Sequence, residues 1–427
     1  MEYIILSKVE KQGNQLRYVF QASEGLNLFF SGKPFIIEYP DPVEDIPDSV
    51  AAIPFVSSVL PLIWLTGGTM EIESLDQTFY SCLPKLKQGY ERMYPELDFS
   101  GTVSVKNVVV NPTEAKKEKS AVFFSGGLDS VFTLIEHLDE NPDLICIWGS
   151  DIAYDNEAGW KSVHDAVLGY ANQFHLTDVP IRSAFRAFDL EWEIDAAYQK
   201  KFGVNWWYGF KHGIALLGHA APYAYLHNIG KIYIASSNSP AEGKVQCASD
   251  PSLDNCVQFC NCKVIHDGFE FDRQGKIHNL VEYVRRTGVS LPLHVCWESQ
   301  SGSNCCECEK CYRTMMELIV EGMDPVLFGF NDCWDNIGKM RRILVGEKKI
   351  SKHLVYEWSQ IQKNARQNRD QLKHSPYWKY IKWLETADIA HPENLKLPMW
   401  YRIRVWMSQF ALLQSIYRIK SFLTNSR

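Results

Sequence analysis

Ser125-Gly126-Gly127-Leu128-Asp129-Ser130 gathers two hydroxyls, two glycines and a carboxylate into six consecutive residues. It follows an apolar run, Ala121-Val122-Phe123-Phe124, that reads as a short buried strand. It opens a helical pattern with Val131, Leu134, Ile135 and Leu138 at i, i+3, i+4 and i+7. A strand, a glycine turn and a helix N-terminus together form an anion site. The glycines admit a close ligand, several N–H groups converge, and the helix dipole favours negative charge. No G-x-x-x-x-G-K-[ST] occurs anywhere, which excludes a Walker-type phosphate loop. Asp129 suits magnesium, which takes one or two carboxylates beside phosphate oxygens.

The second constellation is Cys296, Cys305, Cys308 and Cys311, spaced C-x8-C-x2-C-x2-C. Four thiolates with two short C-x2-C steps suit a closed, tetrahedral, structural zinc centre. Cys306 lies between two of these ligands and is expected to point away. Cys247, Cys256, Cys260 and Cys262 are irregularly spaced and read as loop cysteines.

The elements that must hold these groups alternate from Ser120 to about Phe330. Strands are expected at 121–124, 144–148, 181–185 and 232–235. Between them fall a helix carrying Val163, Val167, Tyr170 and Phe174, and a long helix from Trp206 to His227. This alternation predicts an α/β, doubly wound parallel sheet. Ligands of such sheets bind beyond the C-terminal strand ends, where the S-G-G loop lies. Residues 1–110 mix strand-like runs with helical segments near Ala51–Leu65 and Thr78–Met93, and are expected to form an N-terminal α+β domain. Residues 331–427 read as mostly helical. The expected domains are therefore 1–110, 119–330 and 331–427.

With 427 residues, 46 % of them hydrophobic, the chain can bury a large core. It has no apolar run of membrane length and no secretory leader pattern, so a cytoplasmic protein is expected. Twelve cysteines then speak for metal or redox chemistry rather than disulfides. The net charge of −7 conceals a division: from Asn331 onward 18 Lys and Arg face 8 Asp and Glu, a net of +10. The remainder carries −17. A basic tail suits an acidic protein surface or nucleic acid.

S-G-G-x-D-S after a strand resembles the PP-loop, the pyrophosphate loop of the N-type ATP pyrophosphatases. Followed some 165 residues later by C-x8-C-x2-C-x2-C, it resembles the QueC family of 7-cyano-7-deazaguanine synthases. The resemblance covers roughly residues 119–320. It implies ATP at Ser125, Gly126, Gly127, Leu128, Asp129 and Ser130, with an adenosine contact at Asp151. It implies a substrate-facing loop at Ser236-Ser237-Asn238 and a recognition segment at Ser249-Asp250-Pro251. Lys276-Ile277 stands where that family has a Lys-rich helix start. Where family members carry an Arg-Asn pair, this chain has Tyr208-Gly209-Phe210-Lys211-His212, and Lys211 is the candidate phosphate cation. The terminal additions look like those of QueC-like proteins in bacterial anti-phage operons, QatC of the Qat system and relatives in CBASS operons.

The activity so implied is adenylation of 7-carboxy-7-deazaguanine by ATP with Mg2+. Its carboxylate, already ionised near neutral pH, attacks the α-phosphorus and needs no strong base. Ser125, Asp129, Ser130 and Lys211 are the candidate catalytic groups. An amine then displaces AMP: ammonia, giving amide and nitrile, or the N-terminus of a partner protein, which the additional domains favour. Trp400, Trp406, Phe410 and Tyr417 among Arg402, Arg404 and Arg418 are candidate partner anchors. A tRNA-modifying thiolase and a non-catalytic nucleotide-binding scaffold are the alternatives.

Overall fold

A computed structural model of the chain describes residues 2–111, 119–296, 298–299, 303–331, 344, 352–391 and 395. The chain divides into two compact units, Met1–Cys305 with Leu327–Gly329, and Cys306–Val326 with Phe330–Arg427.

The first unit is built on one 11-stranded, mostly parallel sheet. Its strands are β1 (Tyr3–Gln12), β2 (Gln15–Ala22), β3 (Phe35–Glu38), β4 (Thr69–Asp76), β5 (Thr102–Val109) and β6 (Lys119–Phe123). They continue as β7 (Asp143–Trp148), β8 (Asp178–Ser183), β9 (Ile229–Ala235), β10 (Gln258–Phe259) and β11 (Cys262–Asp267). The order is β10-β11-β9-β6-β7-β8-β3-β2-β1-β4-β5. Within it β6, β7, β8, β9 and β11 are parallel neighbours. Numbered in chain order, those five run 3-2-1-4-5, so the order reverses between β6 and β9. With right-handed crossovers, the connections of the two halves fall on opposite faces. β7 is buried at every residue: Leu144–Trp148 is an apolar run suited to a strand covered on both sides, and the buried Asp143 that starts it pairs with Lys119 at 2.6 Å.

The helices that matter to the site are α1 (Ile53–Thr66), α2 (Gln77–Met93), α3 (Leu128–Glu136), α4 (Glu157–Phe174), α5 (His212–His219), α6 (Ala221–His227) and α7 (Arg273–Thr287). Two elements differ from the sequence reading. The strand expected over 181–185 ends at Ser183, and Phe185 starts a helical turn. The helix expected from Trp206 to His227 is broken into a π-helical turn, Trp207–Lys211, then α5 and α6. The π turn is tightly packed. At Gly209 a Cβ would sit 2.8 Å from the Tyr94 hydroxyl, and this crowded place admits no side chain. Pro222 then lies in the first turn of α6, where it suits a helix start.

Residues 1–110, read as a domain of their own, supply β1 to β5 of the same sheet. The junction is antiparallel, Ile37 opposite Ser183 and Glu38 opposite Arg182. Aromatic packing crosses it: the Phe35 ring lies 4.8 Å from Tyr18 and 5.1 Å from Phe188. The Tyr39 hydroxyl donates to the His219 carbonyl at 3.0 Å. The hydrophobic core is continuous across this junction, from Ile4 and Phe55 to Ile181 and Leu217.

The second unit contains α8 (Glu309–Val320), α9 (Lys352–Gln367) and α10 (Trp378–Thr386). The buried Arg313 pairs with Glu309 at 3.1 Å and with Glu357 at 3.3 Å, joining α8 to α9. The Gln362 amide donates to Leu384 O and Ala387 O at 2.6 and 2.7 Å, which ties α9 to the end of α10. Trp400, Arg402, Arg404, Trp406, Phe410, Tyr417 and Arg418 lie outside the described residues. Among the described residues no helix is long and apolar enough to cross a membrane.

Candidate functional site

Ser125–Ser130 leaves the C-terminal end of β6, at the point where the strand order reverses. Gly126 adopts φ +73°, a conformation that a side chain would strain. Its carbonyl accepts from the His294 N–H at 2.7 Å, so the loop is braced from outside. The Ser130 hydroxyl turns back to Gly127 O at 3.0 Å and receives Ser125 N–H at 3.3 Å. Helix α3 begins at Leu128 behind Gly127, and no side chain caps it. Ser125 is exposed and Asp129 half-buried, whereas Ser130 is buried. The arrangement leaves a helix N-terminus and the exposed Ser125 at the C-terminal end of β6.

Two residues absent from the candidate list complete the loop. The Lys276 ammonium, buried near the start of α7, lies 2.9 Å from Asp129 Oδ1 and donates to the Ser236 carbonyl. The Arg273 guanidinium lies 3.9 Å from Asp129 Oδ2. Lys276 therefore bridges the loops after β6 and β9, the two strands that flank the reversal. Gly268, at φ +71°, makes room for it: a Cβ there would stand 3.4 Å from Lys276 Cε and 2.9 Å from the Phe132 ring. Lys276 was visible in sequence only as a Lys at a helix start, 147 positions from Asp129.

The other candidates fall in different places. Ser236 is buried, accepting from Lys276 through its carbonyl and donating its hydroxyl to Asn238 O at 2.7 Å. Ser237 is exposed. Asn238 and Asp250 line one open cavity of about 270 Å³, with Arg92, Lys244 and Phe269. Asp250 caps its own turn, accepting from Ser252 N at 2.8 Å and Ser252 Oγ at 2.6 Å. Asp151 is exposed beyond β7 and acts electrostatically on His212 and Arg186.

Lys211, the candidate phosphate cation, requires a correction: it is buried and already paired. Its side chain is fully buried, with the ammonium 2.6 Å from Asp189 Oδ2 and 2.7 Å from Phe185 O. Burial pushes the Asp189 carboxyl up and the Lys211 charge pulls it back. A lysine so engaged holds the turn after β8 against α5; breaking such a pair would leave a charge buried alone.

Behind the cavity, Asp254 Oδ2 accepts from Ser249 Oγ at 2.6 Å and meets His266 Nδ1 at 2.8 Å, with both Asp254 and His266 buried. This network anchors the 249–254 turn to the end of β11.

The sulfurs of Cys296, Cys305, Cys308 and Cys311 all lie within 4.8 Å of one another, and all but Cys305 are buried. Zinc–sulfur bonds of about 2.3 Å would place tetrahedral sulfurs roughly 3.8 Å apart, so the group could hold zinc with a modest contraction. Cys306, at φ +53°, is not part of the group. Among the described residues, Cys247, Cys256, Cys260 and Cys262 do not gather into a metal-sized cluster. Burial raises their thiols, Cys247 to about 11, which keeps them protonated and poor nucleophiles. No protein-family model, no characterised protein and no solved structure matches the chain.

Proposed function

We propose that the protein is an ATP-dependent ligase that adenylates a heteroaromatic carboxylate, 7-carboxy-7-deazaguanine being the candidate. The observation that carries this reading is the position of Ser125–Ser130 at the strand-order reversal, joined to the loop after β9 by Lys276. Open α/β sheets bind ligands at that place. The S-G-G-L-D-S pattern adds the resemblance to the PP-loop pyrophosphatases and, with the four cysteines, to QueC-like proteins.

In the first step a carboxylate oxygen of the acid bonds to the α-phosphorus of ATP, and the bond to the bridging oxygen breaks. Pyrophosphate leaves with that electron pair. The Ser125 hydroxyl and the N–H groups that open α3 donate to the phosphates, positioning them and countering charge on the leaving group. The Ser130 hydroxyl, which donates to Gly127 O, holds the turn in shape. Lys276 and Arg273 supply the positive charge earlier assigned to Lys211. Magnesium, when bound, neutralises phosphate charge, and Asp129 is the carboxylate that would hold it. In the second step an amine attacks the acyl carbon, AMP leaves, and the amine loses a proton to solvent. A partner protein's N-terminal amine, as in the QueC-like proteins of defence operons, is the acceptor we favour over ammonia. Zinc would be structural, held by Cys296, Cys305, Cys308 and Cys311.

Thiolation is disfavoured by the buried, protonated thiols around Cys247. The test is release of AMP and pyrophosphate from Mg-ATP and 7-carboxy-7-deazaguanine. Asp129→Ala and Ser125→Ala should each lower the rate on the order of 10²-fold or more, as loss of one preorganised group does. Near-normal AMP release by the Asp129 variant would remove the loop from the mechanism. Efficient conversion of free acid and ammonia to the nitrile would remove the protein acceptor.

A further inference from the structure

The cavity beyond β9 is closed on one side by a helix that precedes the S-G-G loop by some 30 residues. Its walls come from three stretches: Gly89, Arg92 and Met93 of α2, Gly243–Val245 with Asn238 after β9, and Asp250 and Ser252. Phe269, after β11, supplies a ring. The contact between α2 and the 250–254 turn is close because position 89 is glycine. A Cβ there would stand 2.5 Å from Leu253 Cδ2 and 3.2 Å from Ser252 O.

The same helix holds the π turn. Tyr90 donates to Phe210 O at 2.7 Å, and Tyr94 donates to Gly209 O at 2.8 Å with its ring stacked 4.4 Å from Phe210. That turn carries Tyr208, whose carbonyl accepts from the Ala248 N–H at 2.8 Å, just before the 249–254 turn. The end of α2 thus forms a wall of the cavity and, through the π turn, braces the stretch that leads to Asp250.

The chemistry of the lining selects a ligand. About 270 Å³ lies just below the ~300–1,000 Å³ of small-molecule sites and is enough for a nucleobase-sized ring system. Phe269 adds an aromatic side chain to the lining. Asn238 offers both a donor and an acceptor. Of the charged groups, Asp250 is engaged by Ser252, and Lys244 donates to Arg92 O at 3.4 Å. Among the described residues no carboxylate pairs with Arg92, whose guanidinium is exposed.

We infer that this cavity is the binding site of a planar heteroaromatic acid, and that Arg92 is the specificity-determining residue that reads its anionic group. The N-terminal region would then be part of the substrate site. The inference rests on the adenylation reading in one respect: the acid held here is the one activated at the loop, two residues from Asn238 through Ser236 and Lys276.

Calorimetric titration of the full-length protein without ATP separates the two claims. The probes are 7-carboxy-7-deazaguanine and its neutral carboxamide. The wild-type protein should bind the acid more tightly than the amide. Arg92→Ala should weaken the acid on the order of tenfold or more, the effect of losing a hydrogen bond between charged groups, and leave the amide nearly unchanged. Arg92→Lys should restore part of the affinity. Asp129→Ala, which should form AMP on the order of 10²-fold or more slowly, should bind the acid as the wild type does. Gly89→Val should weaken both probes by pushing α2 from the 250–254 turn. Unchanged binding of the acid by Arg92→Ala, equal losses for acid and amide, or no binding by the wild type each overturn the inference. Arg92-dependent binding without AMP formation would defeat the adenylation reading and leave the site standing. AMP formation with an unaltered KM for the acid in Arg92→Ala would do the reverse.

Discussion

Lys276 is the residue on which the candidate site turns. It is 2 % exposed, and its ammonium is shared between the Asp129 carboxylate and a backbone carbonyl. Such a cation is held in place before any anion arrives, which is the arrangement that stabilises developing charge most effectively. Lys276→Met should therefore lower AMP formation on the order of 10²-fold, read beside a thermal melt that reports the fold. A variant that melts lower yet forms AMP at the wild-type rate would make Lys276 a packing residue. His219 belongs to the same scale. It is fully buried between Ser183 Oγ at 2.8 Å and Ala215 O at 2.6 Å, and burial pushes its pKa down to about 4. The unfolded chain, with histidine near 6.5, binds that proton more readily. Its contribution is thus complete above about 6.5 and is lost as pH falls from there toward 4, a change of order 3 kcal/mol. Urea midpoints measured from pH 7.5 to 4.5 should fall less steeply for His219→Gln. Parallel curves for the two proteins would contradict it.

At the scale of elements, the loop and the cysteine cluster both sit where a helix starts. Cys308 is the N-cap of α8, its sulfur accepting from the Cys311 N–H, and the dipole there favours thiolate. One zinc per chain should be found by elemental analysis. Cys308→Ser should lose the metal and lower the melting temperature, because metal-binding energy is folding energy at a structural site. Cys306→Ser should do neither. Protein purified without metal, with all four thiols reacting freely with a thiol reagent, would reject the centre. In the S-G-G turn, Gly126→Ala must adopt positive φ, and the expected result is weaker AMP formation with little change in stability, since His294 still braces the backbone.

The whole molecule explains why residues 1–110 are not an optional addition. They supply β1 to β5, share one hydrophobic core with the parallel strands, and pin the π turn through Tyr90 and Tyr94. Their removal would expose the β8 edge and the apolar faces of Phe185 and Phe188. A chain beginning at residue 111 should accumulate as insoluble material, whereas partner-docking domains can usually be deleted. A soluble, cooperatively melting truncation would show that the junction at β3 and β8 is dispensable.

Local pattern determined much of this from sequence. The strand and helix around Ser125–Ser130 were legible because apolar spacing and a glycine turn act within a dozen residues. So were the four cysteines, whose ligand spacing is a local property of two turns. The charge assignment at Lys211 was not legible, since its burial beside Asp189 depends on how the turn after β8 packs against α5. Lys276 is legible only as a helix-start lysine and Arg92 not at all, for the same reason: a cation's role depends on partners far away in the chain. The joining of residues 1–110 to the sheet rests on the short β3–β8 ladder and on glycines 89 and 209, where side chains of distant elements press close to the backbone. Such contacts leave no periodic trace, because each depends on surfaces brought together only when the chain is folded.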